Sequence, residues 1–269
     1  RKFTAYVNTP LSDALAMRLA LFHESNEGYV ENLAGGHLNG KDTTALRLGF
    51  GLDIDEGKRV DVIFNHQKDT PPGTAFRTPV LPTRAGSSDL FDYTADLNRG
   101  EDLGLDRTVD GITLLGEFRL SDAVTLSSIT GWRQFDSLEQ FDADGSQLNA
   151  LEFAEDAEGD QISQEIRFNF DAGGNFRGFA GFSYYGEDGF QRVPFLTDER
   201  QLAALLSPAL NAGVGAATGG LIQLPIVSPL NPDLTPFLGY TLFPALGIPG
   251  IPLGTPLPLN ATYGEEATN

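Results

Sequence analysis

An acidic stretch of the chain has the residue types of a cation site. Residues 136–160 hold nine Asp and Glu side chains and no Lys or Arg. Within this stretch, DADG at 142–145 resembles the opening of a calcium loop, in which closely spaced carboxylates supply oxygen ligands. Asp142 and Asp144 are therefore the candidate ligands of a divalent cation. A complete EF-hand would carry Glu six residues after the Gly, but that position holds Leu151, and a solvated acidic loop is the alternative.

The other chemistry-bearing residues predict no catalytic site. His23, His37 and His66 are too far apart in sequence for a close-spaced zinc motif. His37, on a predicted loop, could ligate haem or be an ordinary surface residue. The chain has no Gly-rich phosphate cradle, no GxSxG turn and no convincing Ser–His pairing, so we predict no enzyme activity. Because it has no Cys, it also lacks disulfides and thiol chemistry.

Charge and proline content argue against two further classes of protein. The formal net charge is −19, from 18 Lys and Arg against 37 Asp and Glu, which argues against a nucleic-acid partner. Two uncharged stretches, 202–232 and 234–264, are long enough for membrane helices, but both contain several prolines. Proline inside a helix removes a hydrogen bond and clashes with the preceding turn.

No signal peptide is predicted, because no basic segment followed by an apolar run comes after Arg1.

Alternating residues predict β-strands that come in pairs. In 43–54, every second residue from Leu46 to Ile54 is apolar, and the residues between them are Arg, Gly or Asp, which is the period of two of a strand. Similar runs predict four hairpins with turn-forming residues at each joint. The predicted strands are 2–8 and 14–25, 43–54 and 59–67, 111–121 and 124–135, and 159–170 and 176–186.

The lengths of these strands and of their connections predict a transmembrane antiparallel β-barrel. Most of the predicted strands are close in length to a transmembrane strand, which crosses a bilayer with about 9–11 tilted residues. Short turns alternate with long connections, as the periplasmic turns and extracellular loops of outer-membrane barrels do. The apolar faces would contact lipid, and the charged faces would line the lumen, where opposite charges can pair across strands. The predicted lumen-lining residues are Arg47, Asp53, Glu117, Arg119, Glu165 and Arg167. A soluble sheet with these charges on its wet side is the alternative.

Four phrases in the first 190 residues point to a family. They are PLSDALAMRLALFHESNEGYVEN (10–32), LSSITGWRQFDS (126–137), FDADGSQLN (141–149) and GDQISQEIRFN (159–169). In order and spacing they resemble TonB-dependent outer-membrane receptors, above all those of sphingomonad- and caulobacter-like bacteria. The resemblance implies a barrel of about 22 strands with a plugged lumen, of which this chain would supply about eight. It also implies energised uptake of a scarce nutrient such as a siderophore, a vitamin or a glycan.

The resemblance also sets the expected partners. No segment here resembles the plug domain, the box that engages the TonB-type energy-transducing partner, or a closing strand. We therefore expect a barrel fragment whose TonB contact lies in the missing plug region. Lipid and lipopolysaccharide of the bacterial outer membrane would surround the strands, and a divalent cation on the acidic loop could bridge to lipopolysaccharide. Two other functions stay open: a self-contained small barrel acting as a porin or adhesin, and a soluble extracellular β-domain.

The last quarter of the chain differs from the rest. Residues 1–195 are expected to supply the strands, and residues 196–269 a long extracellular loop rich in Pro and Gly. The sequence after Thr197 predicts a short capped helix that ends before Pro208. The apolar remainder, such as 239–259, holds too many prolines for regular structure. This loop could offer an apolar surface to a hydrophobic or amphipathic ligand, or it could pack on neighbouring loops.

Overall fold

The computed structural model describes residues 1–174, 176–221 and 259–268. Nearly all regular structure in these ranges is β, apart from one α-helix and a 3-10 turn at Gly100–Asp102. The elements are β1 (Lys2–Pro10), β2 (Leu15–Asn26), β3 (Val30–Asn32), β4 (His37–Leu38), β5 (Lys41–Asp55), β6 (Lys58–Asp69), β7 (Thr94–Ala95), β8 (Gly104–Ser121), β9 (Val124–Asp142), β10 (Glu152–Asp171), β11 (Arg177–Leu196), α1 (Glu199–Ala217) and β12 (Leu259–Thr268).

Nine strands form one large sheet, in the order β1-β2-β5-β6-β8-β9-β10-β11-β12. Every neighbouring pair in it is antiparallel. The short strands β4, β3 and β7 form a second sheet, in which β3 and β7 are parallel. The predicted all-β fold with one large antiparallel sheet is confirmed, and so are all four predicted hairpins. A ninth strand, β12, lies in the stretch predicted to be loop and pairs with β11.

The strands of the later hairpins are longer than predicted. Strands β8 to β11 have 18 to 20 residues each. The predicted connection 136–158 is wrong, because β9 continues to Asp142 and β10 begins at Glu152, which leaves 143–151 as the loop. Three phenyl rings hold this extension together: Phe141 stacks on Phe153 at 5.5 Å, and Phe153 packs against Phe195 at 4.8 Å. The acidic residues predicted on a loop therefore lie mostly on strands.

The predicted helix after Thr197 is present but does not end before Pro208. Helix α1 continues through this proline to Ala217. Pro208 has no N–H for the carbonyl of Ala204, and the Ser207 hydroxyl donates to that carbonyl instead, at 2.7 Å. The lost backbone bond is thus replaced by a side-chain bond. In the described ranges, no helix is long and apolar enough to cross a membrane. The predicted apolar loop 239–259 lies almost wholly outside the described residues.

Buried apolar side chains lie in the connections and in the small sheet. Val30, Leu38, Ala95, Leu97 and Leu103 form one cluster, against which Ala75 and Phe76 pack. The other buried apolar residues in the described ranges are Leu148, Ala150 and Ala204, so none belongs to the large sheet. We call residues 27–40, 70–103 and 143–151 the loop layer. Within residues 1–174, 176–221 and 259–268, the buried apolar side chains therefore form a packed core at the loop end and none beneath the large sheet.

Candidate functional site

One face of the large sheet collects the charged residues predicted to line a lumen. Residues directly opposite each other in an antiparallel pair share a face. Asp53 lies opposite Arg59, Arg59 opposite Glu117, and Glu117 opposite Ser127. Ser127 in turn lies opposite Arg167. By the same register all six predicted residues share this side, which we call the polar face: Arg47, Asp53, Glu117, Arg119, Glu165 and Arg167.

The charges on the polar face pair less than predicted. Arg59 binds two carboxylates, with Nη2 at 2.8 Å from Asp61 and Nη1 at 3.0 Å from Asp53. Arg119 pairs within its own turn, with Asp122 at 2.9 Å. Arg167 lies 4.1 Å from the ring centre of Phe179. Arg47, Glu117 and Glu165 make no ion pair with any described residue. The polar face thus keeps several charges available to another molecule.

On the opposite face, which we call the apolar face, the large apolar side chains are exposed or partly exposed among the described residues. The exposed fraction is 37% for Leu46, 46% for Ile162 and 45% for Phe168. From Ile162 to Phe170 the chain rises about 27 Å along the strand. At the tilt of about 40° usual in membrane barrels, that run spans about 20 Å, close to the about 25 Å apolar band of such barrels.

On β6, β8, β9 and β10 the apolar band ends within one row of residues toward the loop layer, whereas on β5 it extends one row further, to Leu46 opposite His66. One row of directly opposite residues across four strands is apolar: Phe64, Ile112, Trp132 and Ile162. The next row of the same face is polar: His66, Asp110, Gln134 and Asp160. His66 Nδ1 lies 2.8 Å from an Asp110 carboxylate oxygen.

A cluster of three polar side chains inside this apolar band was not predicted from the sequence. The Thr130 hydroxyl donates to the side-chain oxygen Oε1 of Gln164 at 2.6 Å. The Gln164 amide nitrogen donates to the Ser128 hydroxyl at 3.0 Å. Because the three side chains bond to each other, their polar atoms have partners without water, which lowers the cost of placing them in an apolar medium.

Asp142 and Asp144 hold the loop 143–151 in shape. The buried Asp142 carboxylate accepts from the backbone N–H of Asn98 at 3.2 Å and of Gly145 at 3.3 Å. Asp144 accepts from the N–H groups of Ala150 at 3.2 Å and Leu151 at 3.0 Å. No three potential metal-ligating side chains in the described ranges are grouped to hold an ion. A divalent cation at these two carboxylates stays a prediction.

Burial changes the pKa values of two acidic side chains at this loop. It raises the pKa of Asp142 to about 7, and the nearby Asp144 carboxylate acts in the same direction. Glu152 lies directly opposite Asp142, and burial also raises its pKa. Arg99, 3.5 Å from Glu152, opposes that increase. Sequence reasoning saw an exposed acidic stretch here and missed these buried acids, because Asn98 and Arg99 come from a different connection.

Asp69 is a further residue that sequence reasoning missed. At the loop end of the polar face it accepts from the Thr43 hydroxyl at 2.8 Å and from Arg107 at 2.9 Å. Burial acts to raise its pKa, but the hydrogen bonds from Gln67, Thr43 and Arg107 outweigh burial and hold the pKa below its ordinary value. The hydrogen bonds of Asp69 connect β5, β6 and β8 on the loop-layer side of the apolar band.

His37 lies in β4 and is exposed. It borders a polar cavity of about 1040 Å³ beneath the loop layer, together with Arg1 and Lys41. Haem ligation by His37 stays a prediction.

Comparison with known proteins gives a likeness of fold. No family model matches the sequence, and no curated protein matches it. The ferric yersiniabactin uptake receptor FyuA from Yersinia pestis has a similar structure, with a TM-score of 0.58 and 16% identity over 72% of this chain. The chain has the fold of a receptor-barrel segment. It spans 29% of the length of FyuA.

Two structures of the ferric-catecholate import receptor Fiu from E. coli K12 are also similar. The closed form has a TM-score of 0.48 at 13% identity and the open form 0.48 at 15% identity. Each comparison covers 73% of this chain, and 30% and 32% of the receptor respectively.

Proposed function

We propose that this chain forms part of the barrel wall of a TonB-dependent receptor in a bacterial outer membrane. The observation that carries the proposal is the exposed apolar face of a nine-stranded sheet. Monomeric soluble proteins rarely expose contiguous apolar patches of more than about 300–600 Å². A band this extensive is stable when acyl chains cover it, at about 25 cal/mol for each Å² of apolar surface removed from water.

In this proposal the polar face lines the lumen. Asp53 and Glu117 lie near the short turns, Arg47 lies midway along β5, and Glu165 and Arg167 occupy the same face of β10. Charges on the lipid side would cost about 2–4 kcal/mol at mid-bilayer for Arg or Lys, so only one orientation of the sheet is tolerable. Arg119 completes the predicted lumen set.

In this proposal the transported nutrient binds at the loop end of the barrel. FyuA takes up ferric yersiniabactin, as its name says, which favours an iron-bearing siderophore for this chain over a vitamin or glycan. Residues 196–269, which include α1 and β12, are the candidate ligand-contacting region. Deleting 205–260 from the complete receptor tests this, and unchanged affinity for a ferric siderophore would remove the idea.

The proposed partners follow from the same frame. Lipid and lipopolysaccharide contact the apolar face and the polar row above it. A TonB-type protein would act through a plug region outside this chain. A self-contained porin or adhesin is less favoured, because β1 and β12 each have one neighbour among the described residues and do not pair with each other. A soluble β-domain is less favoured, because no buried apolar core lies beneath the sheet in the part of the chain that the structure describes.

Membrane insertion is the property to test first. The chain is refolded with lipid vesicles, and the membranes are washed with alkaline carbonate. We expect β-rich protein, measured by circular dichroism, to stay with the vesicles. A sample carried through the same steps without vesicles is the control for aggregated protein that sediments by itself. Folded β-protein that remains in the aqueous fraction without detergent would contradict the proposal.

A further inference from the structure

Two arginines of the polar face, one near the turn end of β2 and one midway along β5, have no carboxylate partner among the described residues. Arg18 in β2 lies opposite Gly49, and Arg47 in β5 lies opposite Ala20. The two arginines are therefore on adjacent strands, one residue pair apart along the same face. Neither makes an ion pair with a described residue.

This arrangement is unexpected for so acidic a chain. The sequence has 37 Asp and Glu against 18 Lys and Arg, so carboxylates are plentiful, yet the residues opposite this pair are neutral: Asn8 and Gly49 flank Arg18, and Ala20 and Asn65 flank Arg47. Like charges on neighbouring strands destabilise a sheet. An anion between the two guanidinium groups would remove that repulsion.

The floor between the arginines is made of small residues. Ala16, Ala20, Gly49 and Gly51 line a cavity of about 750 Å³, together with Arg18 and Arg47. The guanidinium of Arg18 also lies 5.5 Å from the ring centre of Tyr6, a contact that restricts its position. The surface is thus recessed between two long cationic side chains.

Arg59 and Asp61 line the same cavity, and the carboxylates nearest the two arginines are already bound. Arg59 donates from Nε and Nη2 to Asp61 at 2.9 and 2.8 Å, and from Nη1 to Asp53 at 3.0 Å. Arg59 and Asp61 lie over the buried Gly51, where an added Cβ would come within 2.3 Å of Arg59 Nη2. Asp53 and Asp61 are therefore held by Arg59 and leave Arg18 and Arg47 uncompensated.

We propose that Arg18 and Arg47 form a binding site for an oxyanion, a carboxylate or phosphate group carried by a small molecule. A planar guanidinium presents paired N–H donors that match the two oxygens of such groups. The site lies on β2 and β5 in the middle part of the polar face, between the short turns and the loop layer. It requires only the geometry of the sheet, so its failure would leave the receptor proposal standing.

Isothermal titration calorimetry on the full chain, folded in a zwitterionic detergent, tests the site. The probes are citrate for carboxylate and pyrophosphate for phosphate, each compared with sodium chloride at matched ionic strength. We expect saturable heat from at least one probe. Arg18→Gln and Arg47→Gln should each weaken binding about tenfold or more, since a hydrogen bond to a charged group contributes about 1.5–3 kcal/mol.

Arg133→Gln is the matched control. Arg133 is an exposed arginine of the polar face that lies outside this cavity, and its loss should leave citrate binding unchanged. Equal weakening by Arg133→Gln would overturn the proposal, because it would indicate general charge attraction. No heat from either probe beyond the salt control would also overturn it.

A measurement on the unmutated chain covers the case in which the variants fail to fold. Phenylglyoxal modifies accessible arginines, and mass spectrometry quantifies each modified site. Citrate or pyrophosphate should protect Arg18 and Arg47 and leave Arg133 reactive. Absence of selective protection would contradict the site.

Discussion

The large sheet and the loop layer distribute their apolar side chains in opposite ways. In the loop layer, Leu97 is 0% exposed, and its backbone N–H and C=O both bond to the side chain of Asn32 at 2.9 and 3.2 Å. In the sheet, Phe168 is 45% exposed. The loop layer therefore buries apolar groups within itself, whereas the sheet presents them outward. The proposed membrane location accounts for this difference, because it places water around the loops and hydrocarbon around the sheet.

Polar groups follow the same division. In the loop layer a buried carboxylate, Asp96, binds Arg84 Nε at 2.7 Å. On the apolar face of the sheet, the polar atoms of Ser128, Thr130 and Gln164 bond to one another. The first arrangement joins distant segments into a core, and the second only satisfies polar atoms. Substitutions in the two regions should therefore act differently.

The largest expected effect is a cavity in the loop layer. Leu97→Ala removes a fully buried side chain and should destabilise this layer by about 2–5 kcal/mol. Hydrogen exchange should rise in Val30–Asn32 and stay low in β9 and β10. Leu90→Ala, at a side chain 45% exposed in the same layer, is the control. Equal loss of protection in the sheet would contradict independent stability of the two regions.

The next effect is a charge on the apolar face. Leu114→Arg should lower the free energy of unfolding from vesicles by about 2–4 kcal/mol, measured by urea titration. Thr113→Arg places the same side chain on the polar face and should cost much less. If the two variants are equally stable, or if Leu114→Arg improves solubility without loss of stability, the apolar face does not contact lipid.

The stability that Asp142 gives to the loop 143–151 and the stability that Asp69 gives to the large sheet should depend on pH in opposite directions. Because the folded pKa of Asp142 is raised to about 7, its contribution is full below its unfolded value near 3.8 and is lost as pH rises through 7. Asp69 has a lowered pKa, so its contribution is present above 3.8 and is lost as pH falls through its folded value.

Hydrogen exchange, corrected for the intrinsic rate, measures this response. Opening of 143–151 should rise about tenfold per pH unit up to pH 7 and then level, or about 30-fold between pH 5.5 and 8.5. Asp142→Asn should abolish the pH dependence, and Asp136→Asn, at an exposed position of the same strand, should keep it. A flat profile in the unmutated chain would refute the assignment.

The smallest expected effect is that of calcium. Backbone amides already occupy oxygens of Asp142 and Asp144, so calcium should raise the melting temperature of the loop layer only slightly. Calorimetry with calcium, and with Asp144→Asn as the control, measures this. A large increase that Asp144→Asn removes would instead establish a cation site.

Local pattern was sufficient for the hairpins and for the two faces of the sheet. A period of two assigns Leu46 and Arg47 to opposite sides without knowledge of any distant contact. The same pattern placed all six predicted charged residues on one face. These features depend only on neighbouring residues along the strand.

Contacts between distant residues explain what sequence reasoning missed. Strands β9 and β10 extend beyond the prediction because Phe153 packs on rings from both neighbouring strands. Asp142 is buried because Asn98, 44 residues earlier, covers it. Helix α1 passes Pro208 because one hydroxyl, that of Ser207, binds the carbonyl of Ala204. None of these contacts leaves a periodic signal in the sequence.

The most direct test of lipid contact uses Trp132, the only Trp of the chain. It lies on the apolar face in the last apolar row below the polar row of His66 and Asp160. In vesicles of brominated phospholipid, its fluorescence should be quenched strongly, and more by bromine near the headgroup end of the acyl chain than near its tip. Aqueous iodide should quench weakly. Strong quenching by iodide with none by brominated lipid would contradict the account.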